Sequence, residues 1–388
     1  MTLNWLSKLR KRRLGRAGTV LMLALLLAGC SGDPPGNGPA GTAEPIKLAM
    51  INSQTGDFSA LGKWEHKGVK LAIDQANAAG GVHGRPLQLS VFDDGGNASV
   101  AVSLTQKVGP AGYVAIFGNT LSGSTLAMAP ALTSLQIPAI TSGQAPTLAA
   151  LRNPFLFLNS TTSTVFDVTL AQYAVSRANL GSFALISNDG AYGKGERTAF
   201  TAALAARAIQ PVADEVVAVG QKDFRTELLA IWQRAPRGLF IGAEEVQSGL
   251  IVAQARSLGL TATILGGAPL GTDVYLNTAG AEAAEGTIFS TPYPTNDENE
   301  ASRQFAAAYQ AAFGESPEFH GAKAYDGARI LIQALRDSDL ATGRALADAV
   351  RSVVFTGLLG PFRFTDEGVG IQTTRIATIT AGRVVALS

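Results

Sequence analysis

Apolar positions recur along this chain with two alternating periods, two residues and then three to four. That is the pattern of strands alternating with helices. Ile46-Lys47-Leu48-Ala49-Met50-Ile51 predicts a strand, and Thr55-Gly56-Asp57 turns the chain into a helix. There Val69, Ala72, Ile73 and Ala76 form one apolar stripe at i, i+3, i+4 and i+7. Gly80-Gly81 stops it. Leu87, Leu89 and Val91 alternate in a second strand that ends at Asp93-Asp94-Gly95-Gly96. Asn97 is placed to cap the next helix, with Val100, Ala101, Leu104 and Val108 facing inward. Val114-Ala115-Ile116-Phe117 is apolar throughout, as expected of a strand buried on both faces of a parallel sheet. Gly118 ends that strand, and Leu126-Ala127-Met128-Ala129 opens a helix behind it. A strand over Ile137–Thr141 and the loop 142–146 follow.

A second cycle begins after Phe155-Leu156-Phe157-Leu158. It predicts a helix over 163–178, a strand over Phe183–Ile186, a glycine-rich loop over 188–195 and a helix over 196–208. Then come a strand over Glu215–Ala218, a helix opened by Lys222-Asp223-Phe224, a strand over Gly238–Ile241, a helix over 244–259 and a strand over Ala262–Leu265. Two long helices, about 300–313 and 321–336, a shorter one and two or three terminal strands close the chain. Strict β–α alternation means parallel sheets with helices on both faces, joined by right-handed crossovers. The expected class is α/β, with two doubly wound parallel-sheet lobes. The late helices are too many for the second sheet alone, so the chain is expected to return to the first.

At 388 residues, with 46% apolar and 16% charged residues, the chain has the length of two domains and the composition of a globular protein. Its first 29 residues have the layout of a leader. Lys8, Arg10, Lys11, Arg12, Arg13 and Arg16 form a basic head, and Val20–Leu27 an apolar run too short to span a bilayer comfortably. Leu27-Ala28-Gly29-Cys30 matches the bacterial lipobox, in which Cys30 is acylated and becomes the first residue of the mature chain. Cys30 is the only cysteine, which excludes internal disulfides and, with three histidines, leaves no Cys/His metal site. Residues 30–45 are rich in Gly and Pro and are expected to be a flexible tether. Without the six basic residues of the head the formal charge falls from +1 to −5, which argues against a nucleic-acid partner.

The candidate chemistry points to holding rather than transforming a molecule. No G-x-x-x-x-G-K-[ST], G-x-S-x-G or H-E-x-x-H sequence occurs. His66, His83 and His320 are expected to be structural or solvated, so no general base for a hydrolase triad stands out. In open α/β sheets ligands collect at the C-terminal ends of strands. Those ends carry Ser122, Ser142 with Gln144, Tyr192, and Glu244 with Glu245 and Gln247. Ser122 either caps its helix or presents its hydroxyl, beside free backbone N–H groups, to an anionic head group. No metal or other cofactor is expected.

These features together resemble the Leu/Ile/Val-binding protein family, the type I periplasmic binding proteins of ABC importers. The resemblance is carried by Ile46–Gly56, Asn77-Ala-Ala-Gly-Gly, Phe92-Asp-Asp, Ala115–Pro146, Asp189–Gly195, Lys222-Asp-Phe, Gln254-Ala-Arg-Ser-Leu-Gly, Ala284-Glu-Gly, Ala324-Tyr-Asp and Gly360-Pro-Phe-Arg-Phe. It implies a type I periplasmic binding protein fold, two lobes closing on a solute, with crossovers near 160, 291 and 359. One lobe would be 46–160 plus 292–358, the other 161–291 plus 359–388. It implies that Ser122 receives the solute's carboxylate, and that Ser142, Gln144, Tyr192, Glu244, Tyr325 and Leu121 complete the site. Ala268 stands where that pattern has an acid for the solute's ammonium, so either Glu244 supplies the charge or the solute has no ammonium. The implied role is an extracytoplasmic, lipid-anchored, monomeric receptor, not an enzyme. It would deliver an amino acid or related carboxylate to permease subunits. The alternative is a sensing module that uses the same cleft for a signalling partner.

Overall fold

The computed structural model describes residues 44–293, 299–358 and 360–387. The leader, Cys30 and nearly all of the tether lie outside the described residues. The first cycle folds as β1 (Ile46–Asn52), α1 (Ser59–Ala78), β2 (Leu87–Asp93), α2 (Ala98–Val108), β3 (Ala115–Phe117), α3 (Ser122–Leu135), β4 (Ala139–Thr141), α4 (Pro146–Ala150) and β5 (Leu156–Leu158). All its strands pair in parallel, in the order β2-β1-β3-β4-β5.

The second cycle repeats the plan with α5 (Ser163–Ser176), β6 (Phe183–Asn188), α6 (Ala191–Ala205), β7 (Ala213–Val217), α7 (Arg225–Trp232), β8 (Gly238–Gly242), α8 (Glu245–Ser257), β9 (Thr263–Gly266), α9 (Asp273–Ala279), α10 (Ala281–Ala284) and β10 (Ile288–Thr291). The remainder is α11 (Glu300–Phe313), α12 (Phe319–Asp337), α13 (Gly343–Ser352), β11 (Phe355–Gly357), β12 (Gly360–Phe364), β13 (Gly370–Ile371), β14 (Arg375–Thr380) and β15 (Arg383–Leu387). The second sheet runs β7-β6-β8-β9-β10-β14-β15, and its last two strands are antiparallel, so it is a mixed sheet rather than a purely parallel one. Antiparallel edge strands on a parallel sheet are common, since they need only a tight turn.

Burial follows the sequence pattern closely, with informative exceptions. Val69, Ala72, Ile73 and Ala76 are all buried, and Asn97 Oδ1 accepts from the N–H groups of Ser99 and Val100. Val100, expected inward, is 40% exposed, because α2 turns Ala101, Thr105 and Val108 into the core. Helix α6 starts at Ala191 rather than 196, so Tyr192 lies in its first turn and not in a loop. Gly118 has φ +113°, and a Cβ there would lie 2.1 Å from the Ile51 carbonyl oxygen. Only glycine permits both the turn and that approach.

Helices α11–α13 bury Phe305, Tyr309, Ile330, Leu331, Leu346 and Val350 in the same core as β1–β5. The next segment stays there as well. Phe362 and Phe364 belong to that core, and Val369 bridges Leu158 of β5 in parallel. The chain passes to the second sheet only between Ile371 and Arg375, later than the crossover expected near 359, because Phe364 packs on Phe157 and Phe362 on Phe364.

Helix α12 lies tightly on α1. A Cβ on Gly68 would fall 2.1 Å from the Gly321 carbonyl oxygen. Gly68→Ala is therefore expected to push the helices apart and cost about 2 kcal/mol or more. Thermal denaturation would register this as a lowered midpoint, and an unchanged midpoint would show that the contact relaxes freely.

Candidate functional site

In both sheets the strand order reverses beside the first strand of its cycle, between β1 and β3 and between β6 and β8. Loops from opposite neighbours diverge at such a point and leave a crevice beyond the strand ends. The two crevices face each other across one small, narrow cavity.

From the first sheet the cavity is lined by Thr120, Leu121 and Ser122 after β3 and by Ser142 and Gln144 after β4. From the second come Tyr192 after β6, Glu244 and Glu245 after β8, and Pro269 after β9. Leu61 of α1 and Phe319 and His320 of α12 complete the wall.

Leu121 occupies the N-cap position of α3, which has no side-chain cap. Ser122 therefore does not cap its helix. Its Oγ accepts from the backbone N–H groups of Gln144 and Ala145, both at 3.2 Å. With both lone pairs engaged, its proton is left to donate elsewhere. The first-turn N–H groups of α3 have no acceptor within the helix. The approach to α3 is braced by Asn119, whose Nδ2 donates to Asp94 and whose Oδ1 accepts from Leu121 N–H at 3.0 Å. Ser142 is held from two sides: Lys323 Nζ donates to its carbonyl oxygen at 3.0 Å, and Asn159 Nδ2 to its Oγ at 3.2 Å. Burial lowers Lys323 to about 8. Gln144 joins the two halves, since its carbonyl oxygen accepts from Ser163 N–H of α5 at 3.0 Å.

The opposite wall is acidic. Glu244 stands at the N-cap of α8, half-buried, and its Oε2 accepts from Asn188 Nδ2 at 2.6 Å. Burial raises its pKa, against the pull of Asn188. Behind the wall, Glu196 and Asp167 are fully buried and close to each other. Burial lifts Glu196 to about 7, and burial with the neighbouring Glu196 raises Asp167 well above the usual carboxylate range. Burial and these acids also raise the Tyr192 phenol well above its normal value, so it remains a neutral hydroxyl. Among the described residues no three His, Cys, Asp or Glu side chains are placed to hold a metal ion, and no helix is long and apolar enough to cross a membrane.

Six of the seven residues expected at the site, Leu121, Ser122, Ser142, Gln144, Tyr192 and Glu244, lie around this one cavity. Tyr325 does not. It faces the first core, with its hydroxyl donating to Gln75 at 2.8 Å and its ring against Phe305. The aromatic that α12 contributes is Phe319, nearly two turns earlier. His320, expected to be structural or solvated, lines the cavity and pairs with Glu245. Glu245 was legible as a polar group at the end of β8. Nothing local marked Phe319 and His320, since their place depends on how α12 docks.

The profile of the periplasmic binding protein family matches residues 45–383. The Leu/Ile/Val-binding protein BraC3 of Rhizobium johnstonii is 27% identical over 248 residues, covering 63% of this chain and 67% of that protein. The leucine-, isoleucine-, valine-, threonine- and alanine-binding protein of Pseudomonas aeruginosa is 23% identical over 338 residues, 84% of this chain and 87% of its own. Among solved structures, the branched-chain amino acid transporter substrate-binding protein LivJ of Streptococcus pneumoniae, in complex with isoleucine, superposes with a TM-score of 0.81. It is 25% identical, over 88% of this chain and all of that one. Two β/α lobes with their strand ends around one cavity, and a family match over nearly all of the described residues, lead to one conclusion: this chain belongs to the periplasmic binding protein family.

Proposed function

We propose that this protein is the solute-binding receptor of an ABC importer and carries a small dipolar solute, an amino acid or a closely related carboxylate. The observation that carries this reading is the polarity of the cavity. At one wall stands the N-terminus of α3 with the Ser122 hydroxyl, and at the other the carboxylate of Glu244. A helix N-terminus with a donor hydroxyl binds a carboxylate without a basic side chain. A half-buried carboxylate whose pKa is raised by burial gains most from an ammonium partner. Ala268 leaves that task to Glu244.

Tyr192, Ser142 and Gln144 complete the grip, and closure of the lobes brings the two walls together around the solute. The closed form is what permease subunits would recognise. Cys30 would anchor the receptor by its lipid, with residues 31–45 as the tether that lets the lobes stand off the bilayer. The role is delivery without chemical change of the solute.

Titration calorimetry against neutral amino acids, keto acids, aromatic acids and amides tests this reading. Ser122→Ala is expected to weaken the solute that binds by about tenfold or more, as for loss of a hydrogen bond to a charged group. An unchanged affinity would remove Ser122 from the site. Absence of saturable binding across the panel would remove the dipolar-solute reading itself.

A further inference from the structure

The buried ion pair between His320 and Glu245 spans the cleft. His320 lies in the first turn of α12, which packs in the first core, and Glu245 in the first turn of α8 on the second sheet. Nε2 and Oε1 are 2.9 Å apart, with side chains 6% and 1% exposed. The other ion pairs described, Lys67–Glu315 and Arg197–Asp214 among them, are solvent-accessible and count for little. The imidazole stacks on Trp64 of α1 and against Phe319 of its own helix, so its position is fixed.

The charges acting on the ring are Glu318 at the N-cap of α12, Glu65 from α1 and Glu245 from α8, and Lys323, a turn further along α12, faces Glu65 and Glu318. Three of these have other partners. Glu318 accepts from the N–H groups of His320 and Gly321, Lys323 donates to Ser142, and Glu65 accepts from Asn52. Glu245 is the carboxylate that meets the ring nitrogen. Burial opposes the charge on His320, but Glu318, the hydrogen bond to Glu245 and Glu65 outweigh it and raise the pKa above the ordinary value. Glu245 Oε2 has no hydrogen-bond partner among the described residues, and neither has His320 Nδ1. Both residues line the cavity.

We propose that His320 sets the charge class of the solute. By neutralising Glu245 across the cleft, it leaves Glu244 as the uncompensated carboxylate among the described cavity residues. The closed site then accepts one ammonium with one carboxylate and discriminates against a second cation. The proposal rests on the cavity being the solute site. With His320 neutral, Glu245 becomes a second bare carboxylate, and the cavity gains a place for a second ammonium. With Glu245 neutral and His320 protonated, the cavity loses negative charge, and a solute without ammonium is favoured. Like charges left facing each other in a closed site are costly, so each change acts as a filter on solute charge.

Titration calorimetry at pH 7 with L-norvaline, L-ornithine and 2-oxopentanoate separates these cases, since the three share a five-carbon chain and differ in charge. His320→Gln is expected to raise the affinity ratio of ornithine to norvaline by about tenfold or more. Glu245→Gln is expected to raise the ratio of 2-oxopentanoate to norvaline by a similar factor. The double variant should return both ratios to within about threefold of the unsubstituted protein. Circular dichroism and a melting curve for each variant establish that it is folded, and the two single variants test the proposal independently. Ratios that stay constant while all affinities fall together would overturn the proposal and reduce the pair to a closing contact. If the unsubstituted protein binds none of the three, the dipolar-solute reading fails, and this proposal with it.

Discussion

Glu244→Gln is expected to weaken a neutral α-amino acid by about a hundredfold while changing the affinity of the corresponding keto acid by no more than about threefold. The substitution keeps the side chain's shape. A glutamine Oε1 still accepts from Asn188 Nδ2, which binds Glu244 Oε2 at 2.6 Å, so the turn into α8 is preserved. What disappears is the charge. An ammonium group closed into the cavity then has no anionic partner on that wall, and leaving one member of a buried pair unmatched costs more than the pair's net contribution. The keto acid carries no ammonium and does not register the change. Equal losses for both solutes would mean that Glu244 only shapes the loop. No loss for either would place the solute elsewhere in the crevice.

Thermal stability of the solute-free protein is expected to fall as pH rises from about 5 to about 8, with a midpoint several degrees higher at the acidic end. Burial raises Glu196 and Glu318 to about 7 and Asp326 to about 6, and raises Asp167 well above its ordinary value. In the unfolded chain these carboxyls titrate near 4. Between pH 4 and 7 the folded state therefore holds more protons than the unfolded one, and stability must decline with rising pH. His320 acts in the same direction. Its raised pKa gives stability that is present below its unfolded value and lost as pH rises through the folded one.

Two groups of opposite sign bound the window. Asp93 and Asp223, held at about 2 by hydrogen bonds to Thr55 and Arg225, lose their contribution only as pH falls below about 4. Lys323, lowered to about 8 by burial, raises stability only as pH climbs above that value. Differential scanning calorimetry at pH 5, 6.5 and 8 tests the slope. Asp167→Asn should flatten it, since an amide cannot ionise on unfolding. A midpoint that stays level or rises over this interval would show that the buried acids are ionised in the folded protein.

The acidic interior behind Tyr192 has a counterpart in what the cavity lacks. Asp167 is fully buried, and neither of its carboxylate oxygens has a hydrogen-bond partner among the described residues. Such a group persists in a fold only as the neutral acid or at a cost in stability. Protonated, Asp167 and Glu196 add no negative charge beneath the site, which keeps the charge count of the cavity to the residues that line it.

Much of this protein is written in short-range pattern. Period-two and period-four apolar spacing is set by strand and helix geometry, so β1 to β9 and the longer helices between them follow from the chain itself, whereas β10 and the short helices α4, α9 and α10 carry too few periods to be read from it. Parallel pairing places every strand's C-terminal end on one side, and so the chain alone groups Ser122, Ser142, Gln144, Tyr192 and Glu244. Two departures share one cause. Val100 and Tyr325 each sit on a correctly placed helix, but which side of that helix meets which core is decided by residues up to two hundred and fifty positions away. Val100 yields its place to Thr105 because α2 rotates to bury Ala101 and Val108. Tyr325 turns to Gln75 and Phe305 because α12 packs on α1. The same packing, fixed by the close approach of Gly68 and Gly321, carries His320 to Glu245 across 75 positions of sequence. The sequence determined by itself the alternation of elements and the polar groups at the strand ends, because those depend on neighbours within a turn or two. The tertiary structure alone decided which helix ends close the cavity and which charges meet inside it, because burial and pairing are settled between segments that no local period connects.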